Sequence, residues 1–136
     1  MSGLVIDASF TLATLFDDER TPTVLAARAR VTAEGALVPG LWWLEVANSL
    51  LVAERRKRVT RDRREGSLAD PAALPIATDP ETAPRAWSDT LALAEAHGPT
   101  VYDAAYLELA LRRQLPLATL DRELVAAAGA CGVAIV

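Results

Sequence analysis

In Gly3-Leu4-Val5-Ile6-Asp7-Ala8-Ser9-Phe10, an apolar run leads straight into a carboxylate. Leu4, Val5 and Ile6 are wholly apolar and rich in β-branching, as expected of a strand buried on both faces. Residues 8–16 then read as a helix. Asp7 therefore stands at the carboxyl end of a strand, where open parallel α/β sheets place their ligand chemistry.

Outward from this stretch, the same alternation recurs. Thr21-Pro22 reads as a helix cap and first helical position, opening a helix that runs to about residue 33 and stops before Gly35. Residues 36–38 form a second strand, closed by Pro39-Gly40. A long apolar-rich helical pattern with a basic far end covers residues 41–58. Residues 60–73 read as a short or broken helix, because Gly66 and Pro71 interrupt it. Residues 74–77 are a third strand, and a helix over 81–97 is stopped by Gly98-Pro99. Thr100-Val101-Tyr102-Asp103 has a capping-box pattern opening a helix to about residue 113. Residues 117–119 are a fourth strand, 121–128 a short helix and 132–136 a final strand. This alternation predicts an α/β fold with a parallel sheet, in a single domain over residues 1–136.

Composition narrows the function classes. A hydrophobic fraction of 51% with 24% charged residues describes an ordinary globular protein. No apolar run approaches the ~20 residues needed to span a bilayer. The N-terminal residues lack the three-part pattern of a signal peptide, so a cytoplasmic location is expected. Cys131 is the only cysteine, which excludes a disulfide framework, and its small-residue surroundings read as those of a buried, inert thiol. The net charge of −4 argues against a surface coated in nucleic-acid-binding charge. The cations are nevertheless concentrated: Arg55, Arg56, Lys57, Arg58, Arg61, Arg63 and Arg64 fall within ten residues.

Four acids stand at strand ends or in the first turns of helices that follow strands: Asp7, Glu45, Asp103 and Asp121. A parallel sheet brings such positions to one edge. Crowded carboxylates repel one another, and a bound cation or a raised pKa relieves them. Oxygen ligands without His or Cys suit Mg²⁺ or Mn²⁺, ions that activate water and offset charge at a phosphodiester. Capping competes with this reading, because Asp7 and Asp121 could each cap a helix and Asp103 could complete a capping box. Nothing in capping requires Glu45. Other acid chemistries lack their partners: position 9 is Ser where a phosphotransfer phosphatase needs a second acid, and no lysine follows the last strands as a receiver domain requires. There is no phosphate loop, dinucleotide fingerprint or nucleophile elbow. His97, the sole histidine, reads as a helix-end residue.

Val5-Ile6-Asp7-Ala8-Ser9, a helix carrying Glu45 with Asn48 three residues on, Tyr102-Asp103-Ala104-Ala105-Tyr106 and Ala118-Thr119-Leu120-Asp121 occur in the order and spacing of the PIN domain. The chain resembles in particular the VapC-type toxins of bacterial toxin–antitoxin pairs, over essentially its whole length. The resemblance implies a three-layer α/β/α sandwich with a five-stranded parallel sheet, and a Mg²⁺-dependent endoribonuclease in which Mn²⁺ can substitute. It implies Asp7, Glu45, Asp103 and Asp121 as the acidic metal site, with Ser9, Asn48 and Thr119 as supporting polar groups. It also implies a homodimer, an RNA substrate and a small VapB-like antitoxin, for which the helices over 11–33 and 41–58 offer a groove. Relatives usually carry a smoother helix where this chain has residues 60–73.

RNA beside an acidic cleft needs flanking cations. Arg55, Arg56, Lys57, Arg58 and Arg61 are the first candidates, with Arg112, Arg113 and Arg122 nearer the motifs. The basic stretch can equally be a solvated helix end whose cations favour the dipole. Trp42 and Trp43 could stack on bases, although at least one reads as core. Two alternatives stay open: a non-catalytic PIN-like module binding RNA or protein, and a metal-dependent DNA nuclease or phosphatase of similar fold.

Overall fold

The computed structural model describes residues 3–136. Four strands pair in parallel: β1 (Leu4–Ile6), β2 (Ala36–Val38), β3 (Ile76–Thr78) and β4 (Leu117–Ala118), in the order β3-β2-β1-β4. Leu4 pairs with Ala36, and Val5 with both Leu37 and Leu117. All three residues of β1 are buried, so both faces of the central strand are covered. That is why this strand has no polar alternation. Between the strands run α1 (Ala8–Leu15), α2 (Pro22–Glu34), α3 (Trp42–Arg55), α4 (Arg61–Ser67), α5 (Ala69–Ala72), α6 (Thr82–Arg85), α7 (Leu91–His97), α8 (Val101–Arg113) and α9 (Arg122–Cys131).

The expected fifth strand is corrected to one bridge, between Leu117 and Ile135. Leu117 donates to the Ala134 carbonyl and accepts from Val136 N–H. The reason lies in β4, which stops at Ala118 because Thr119 turns away to hydrogen-bond Asp7. Two residues of β4 leave no ladder for the tail to extend. The third strand also starts later than its apolar run, since Pro75 has no N–H and contributes only its carbonyl, to Ala36 N–H. The helix expected over 81–97 is α6 and α7 joined by a π-helical stretch, Ala86–Thr90. Residues 60–73 are the two short helices α4 and α5, matching the broken helix expected there.

One connected core joins β1, α1, α2, α3, α8 and α9, with Trp42, Tyr106, Leu50 and Leu107 among its largest fully buried side chains. At the end of α3 a Schellman motif reverses the chain: Arg58 N–H bonds the Ala53 carbonyl and Lys57 N–H that of Glu54. Lys57 takes the left-handed conformation (φ 59°) that this motif requires. Among the described residues, no helix is long and apolar enough to cross a membrane.

Candidate metal centre at the carboxyl edge of the sheet

The carboxyl ends of β1, β2 and β4 and the amino ends of α1, α3, α8 and α9 share one edge of the sheet, so helix-dipole positive ends face the acids there. Asp7, 4% exposed, caps α1 by accepting from Phe10 N–H at 2.8 Å. Ser9 Oγ donates to the same Asp7 oxygen at 2.7 Å, and Thr119 Oγ1 donates to the other. Each hydroxyl has one proton, and both are directed at Asp7. Their lone pairs in turn accept backbone N–H groups, Leu120 on Ser9 and Asp121 on Thr119. Ser9 and Thr119 thus pin the 119–121 loop to the end of β1.

Asp121 caps α9 by accepting from Glu123 and Leu124 N–H. Glu45 lies one turn into α3 and caps nothing; it accepts from the buried Tyr106 hydroxyl at 2.5 Å. Asp103 likewise makes no cap. Its own N–H donates to Thr100 Oγ1, the half of the capping box that is present. Capping therefore accounts for two of the four acids. Trp42, 2% exposed, ties α3 to α1 by donating to Thr11 Oγ1, which itself donates to the Asp7 carbonyl.

The electrostatics link these groups. Burial raises the Asp7 carboxyl above its ordinary value, opposed by its three hydrogen bonds and aided by the Asp121 charge. Burial raises Glu45 as well, against the Tyr106 bond, with the Asp7 charge adding. Asp103 is pushed up to about 6, first by burial and then by the charges of Asp121, Glu45, Asp7 and Glu123. Among the described residues, no three acidic, histidine or cysteine side chains already form a cage for an ion. The four acids are within electrostatic reach of one another without being closed around a point.

Asp103 carries a stability consequence. Its folded pKa of about 6 lies above the ordinary 3.8, so between these values the folded state holds the extra proton. Stability from this group is full below pH 3.8 and falls as pH rises towards 6. A shift of this size is nominally about 3 kcal/mol, which solvent screening at a half-exposed site cuts to about 1 kcal/mol. Metal-free Asp103→Asn is therefore expected to melt about 3–5 °C above wild type near pH 7.5 and level with it near pH 4. Equal melting at both pH values would show that Asp103 is not crowded.

Tyr106 joins the site although the sequence marks it only by its place three residues after Asp103, on the same helix face. Asn48 is exposed and makes no hydrogen bond among the described residues. The expected RNA-contacting cations divide. Arg58 pairs with Asp18 and Glu19 and lies over the Phe16 ring, and Arg61 pairs with Glu65. Arg112 is committed to Asp79, Glu81 and Glu108. Arg113 lines a cavity of about 230 Å³ with Gly3, Gly35 and Pro75, at the opposite edge of the sheet. Arg55, Arg56, Lys57 and Arg122 are exposed and make no ion pair among the described residues. Trp43, 47% exposed, donates to Thr78 Oγ1 and packs edge-on against Trp42, so one tryptophan is core and the other is at the surface.

The PIN domain model matches residues 4–130. Ribonuclease VapC3 of Pyrobaculum aerophilum is 36% identical over 121 residues, covering 89% of this chain and 91% of that protein. The crystal structure of PAE2754 from the same organism superposes with a TM-score of 0.62 at 22% identity, over 93% of this chain and 84% of the other. That of Mycobacterium tuberculosis VapC20, described as a sarcin–ricin loop cleaving toxin, does so at 0.60 and 14% identity, over 92% and 95%. The structural likenesses speak for the fold, while the family match takes in every strand and all four acids: the chain belongs to the PIN-domain family.

Proposed function

We propose that this chain, a single PIN domain over residues 1–136, is the toxin of a toxin–antitoxin pair: a Mg²⁺-dependent endoribonuclease, with Mn²⁺ as a possible substitute. On this reading it is a cytoplasmic homodimer restrained by a VapB-like antitoxin. The observation that supports it most is the mutual repulsion felt at Asp103 from Asp7, Glu45 and Asp121. Two of the four acids, Glu45 and Asp103, cap no helix, and capping therefore does not account for setting them against the others. The donor set fits the ion: carboxylates and hydroxyls without His or Cys suit Mg²⁺, which keeps several waters and needs only one or two protein oxygens. A tight cage is therefore not required.

Asp7 and Asp103 would be the principal ligands, with Glu45 and Asp121 completing the shell in part through water. Bound there, the ion would supply a water nucleophile at neutral pH and offset charge on the displaced phosphodiester. Ser9 and Thr119 hold the Asp7 oxygens fixed; with Phe10 N–H on Oδ1 they use three of the carboxylate's about four lone-pair sites, leaving the remaining one on Oδ2. Tyr106 holds Glu45 from behind. Tyr106→Phe keeps the buried ring and deletes only that bond, so stability is expected to change by about 1 kcal/mol or less. Apparent Mg²⁺ affinity is expected to fall about 10–100-fold, as for other groups that orient a ligand. An unchanged Mg²⁺ dependence would leave Tyr106 a packing residue.

A metal-dependent DNA nuclease or phosphatase is the rival, because none of the four acids reads a 2′-hydroxyl. Parallel assays on RNA, single-stranded DNA and a small phosphate ester, with Mg²⁺ added and then chelated, decide between them. Metal-dependent cleavage of RNA alone is expected. Cleavage that survives chelation, or ester hydrolysis without RNA cleavage, would refute the reading.

A further inference from the structure

A groove of about 400 Å³ opens beside the acids between α1 and α3, lined by Ser9, Leu12, Phe16, Arg56, Leu120 and Asp121 among others. One end is the proposed metal centre, since Ser9 bonds Asp7 and Asp121 belongs to the acid set. Arg56 lines it from the end of α3, and between them Leu12, Phe16, Val52 and Leu120 share the lining with Ser49 and the Glu19–Arg58 ion pair. Among the described residues, Arg56 alone of the eight cations expected to meet RNA both makes no ion pair and lines this groove. Arg58, which lines it too, is held by Asp18 and Glu19. The Schellman turn fixes the backbone on either side of Arg56, so its side chain leaves the chain at a defined point.

We infer that this groove is a nucleotide subsite: the apolar side chains Leu12, Phe16 and Leu120 take the ribose and base next to the scissile bond, and Arg56 grips the flanking phosphate. This rests on the ribonuclease reading above. The charge pattern favours a nucleic acid, because a strand whose reacting phosphate faces carboxylates needs its next phosphate held by an uncommitted cation. Arg, with its planar fork, suits a phosphate better than a point charge does.

The test uses a fluorescein-labelled single-stranded RNA of mixed sequence, with Mg²⁺, in an Asp7→Asn background so that the probe stays intact. Adding Arg56→Ala is expected to weaken binding about tenfold and to flatten the log–log salt slope by about 0.7, the value of one single-strand phosphate contact. Adding Arg30→Ala, where Arg30 pairs with Glu34 at the far edge of the sheet, is expected to change neither. With Asp7 intact, Arg56→Ala should raise KM for RNA while kcat holds within about twofold. The Mg²⁺-induced rise in Tm of wild type reports the acids without RNA, and its absence would overturn the ribonuclease reading and the subsite together. If that rise is present but Arg56→Ala leaves affinity and slope unchanged, the subsite alone is overturned. A loss confined to binding of the purified cognate antitoxin would give the groove to a protein and overturn it equally.

Discussion

Asp7→Asn is expected to lower metal-dependent RNA cleavage by at least about 10²-fold, the scale on which a preorganised charge-stabilising group matters, and to leave the fold intact. The two expectations separate because Asp7 has two tasks. As a cap it accepts from Phe10 N–H, and Asn caps a helix as well as Asp does. The new amide nitrogen meets the Thr119 hydroxyl, which can turn to accept from it. Removing a buried charge that sits above its ordinary pKa offsets part of any loss, so a stability change within about 1 kcal/mol is expected. What Asn cannot supply is the negative charge and a ligand oxygen for a hard cation. Initial cleavage rates at saturating Mg²⁺, alongside thermal unfolding, check both halves. Expression of wild type and variant in cells, with new RNA ends mapped, extends the test to the target: growth arrest with discrete cuts is expected of the wild type only. Wild-type cleavage by Asp7→Asn would leave Asp7 as a cap and nothing more.

The alternation of apolar runs with turn residues made most of the fold legible, because β1 and β2 are continuous apolar segments that each start after a Gly and end at Asp7 and Pro39. The strand count was not legible. Whether residues 132–136 pair depends on where β4 stops, and β4 stops because Thr119 bonds an aspartate 112 positions away. No local pattern carries that. The same distance effect governs the site. The acids stood out because each follows a strand or opens a helix, a property of the chain nearby. The Tyr106–Glu45 bond spans 61 residues, and only the three-residue offset from Asp103 hinted at it. The cations were legible by type alone. Arg58 and Arg112 find acids 31–40 positions distant and so are committed to ion pairs, whereas Arg56 reaches none among the described residues. Charge partners belong to tertiary structure, and a basic run read in isolation overstates how much positive charge remains free.

Arg112→Ala is expected to destabilise the protein by about 3–5 kcal/mol, lowering Tm by about 10–20 °C for a chain of this size. The guanidinium, 14% exposed, bonds Glu108 at 2.7 Å along α8 and Asp79 at 2.7 Å beyond β3, and reaches Glu81 at 3.1 Å. Asp79 is 1% exposed and Glu108 6%, so truncation would leave two carboxylates in a poorly solvated place. Among the described residues, Asp79 would retain only Glu81 N–H, and Glu108 only Arg85 at 3.6 Å. Uncompensated buried charge costs more than the pair itself contributes. Arg112→Lys is expected to recover little, since an ammonium cannot fork to both acids. Neutralising all three, as Asp79→Asn, Glu108→Gln and Arg112→Met together, is expected to regain most of the lost stability. Burial protects these contacts from ionic screening, so added salt should leave the loss unchanged. Thermal melts of the three variants give the ordering, and cleavage measured well below the lowered Tm gives the functional side. There Arg112→Ala should cut RNA within a few-fold of wild type, because its charge is enclosed by acids of the fold. A small Tm change with a steep rise in KM would reverse the assignment and return Arg112 to the RNA surface.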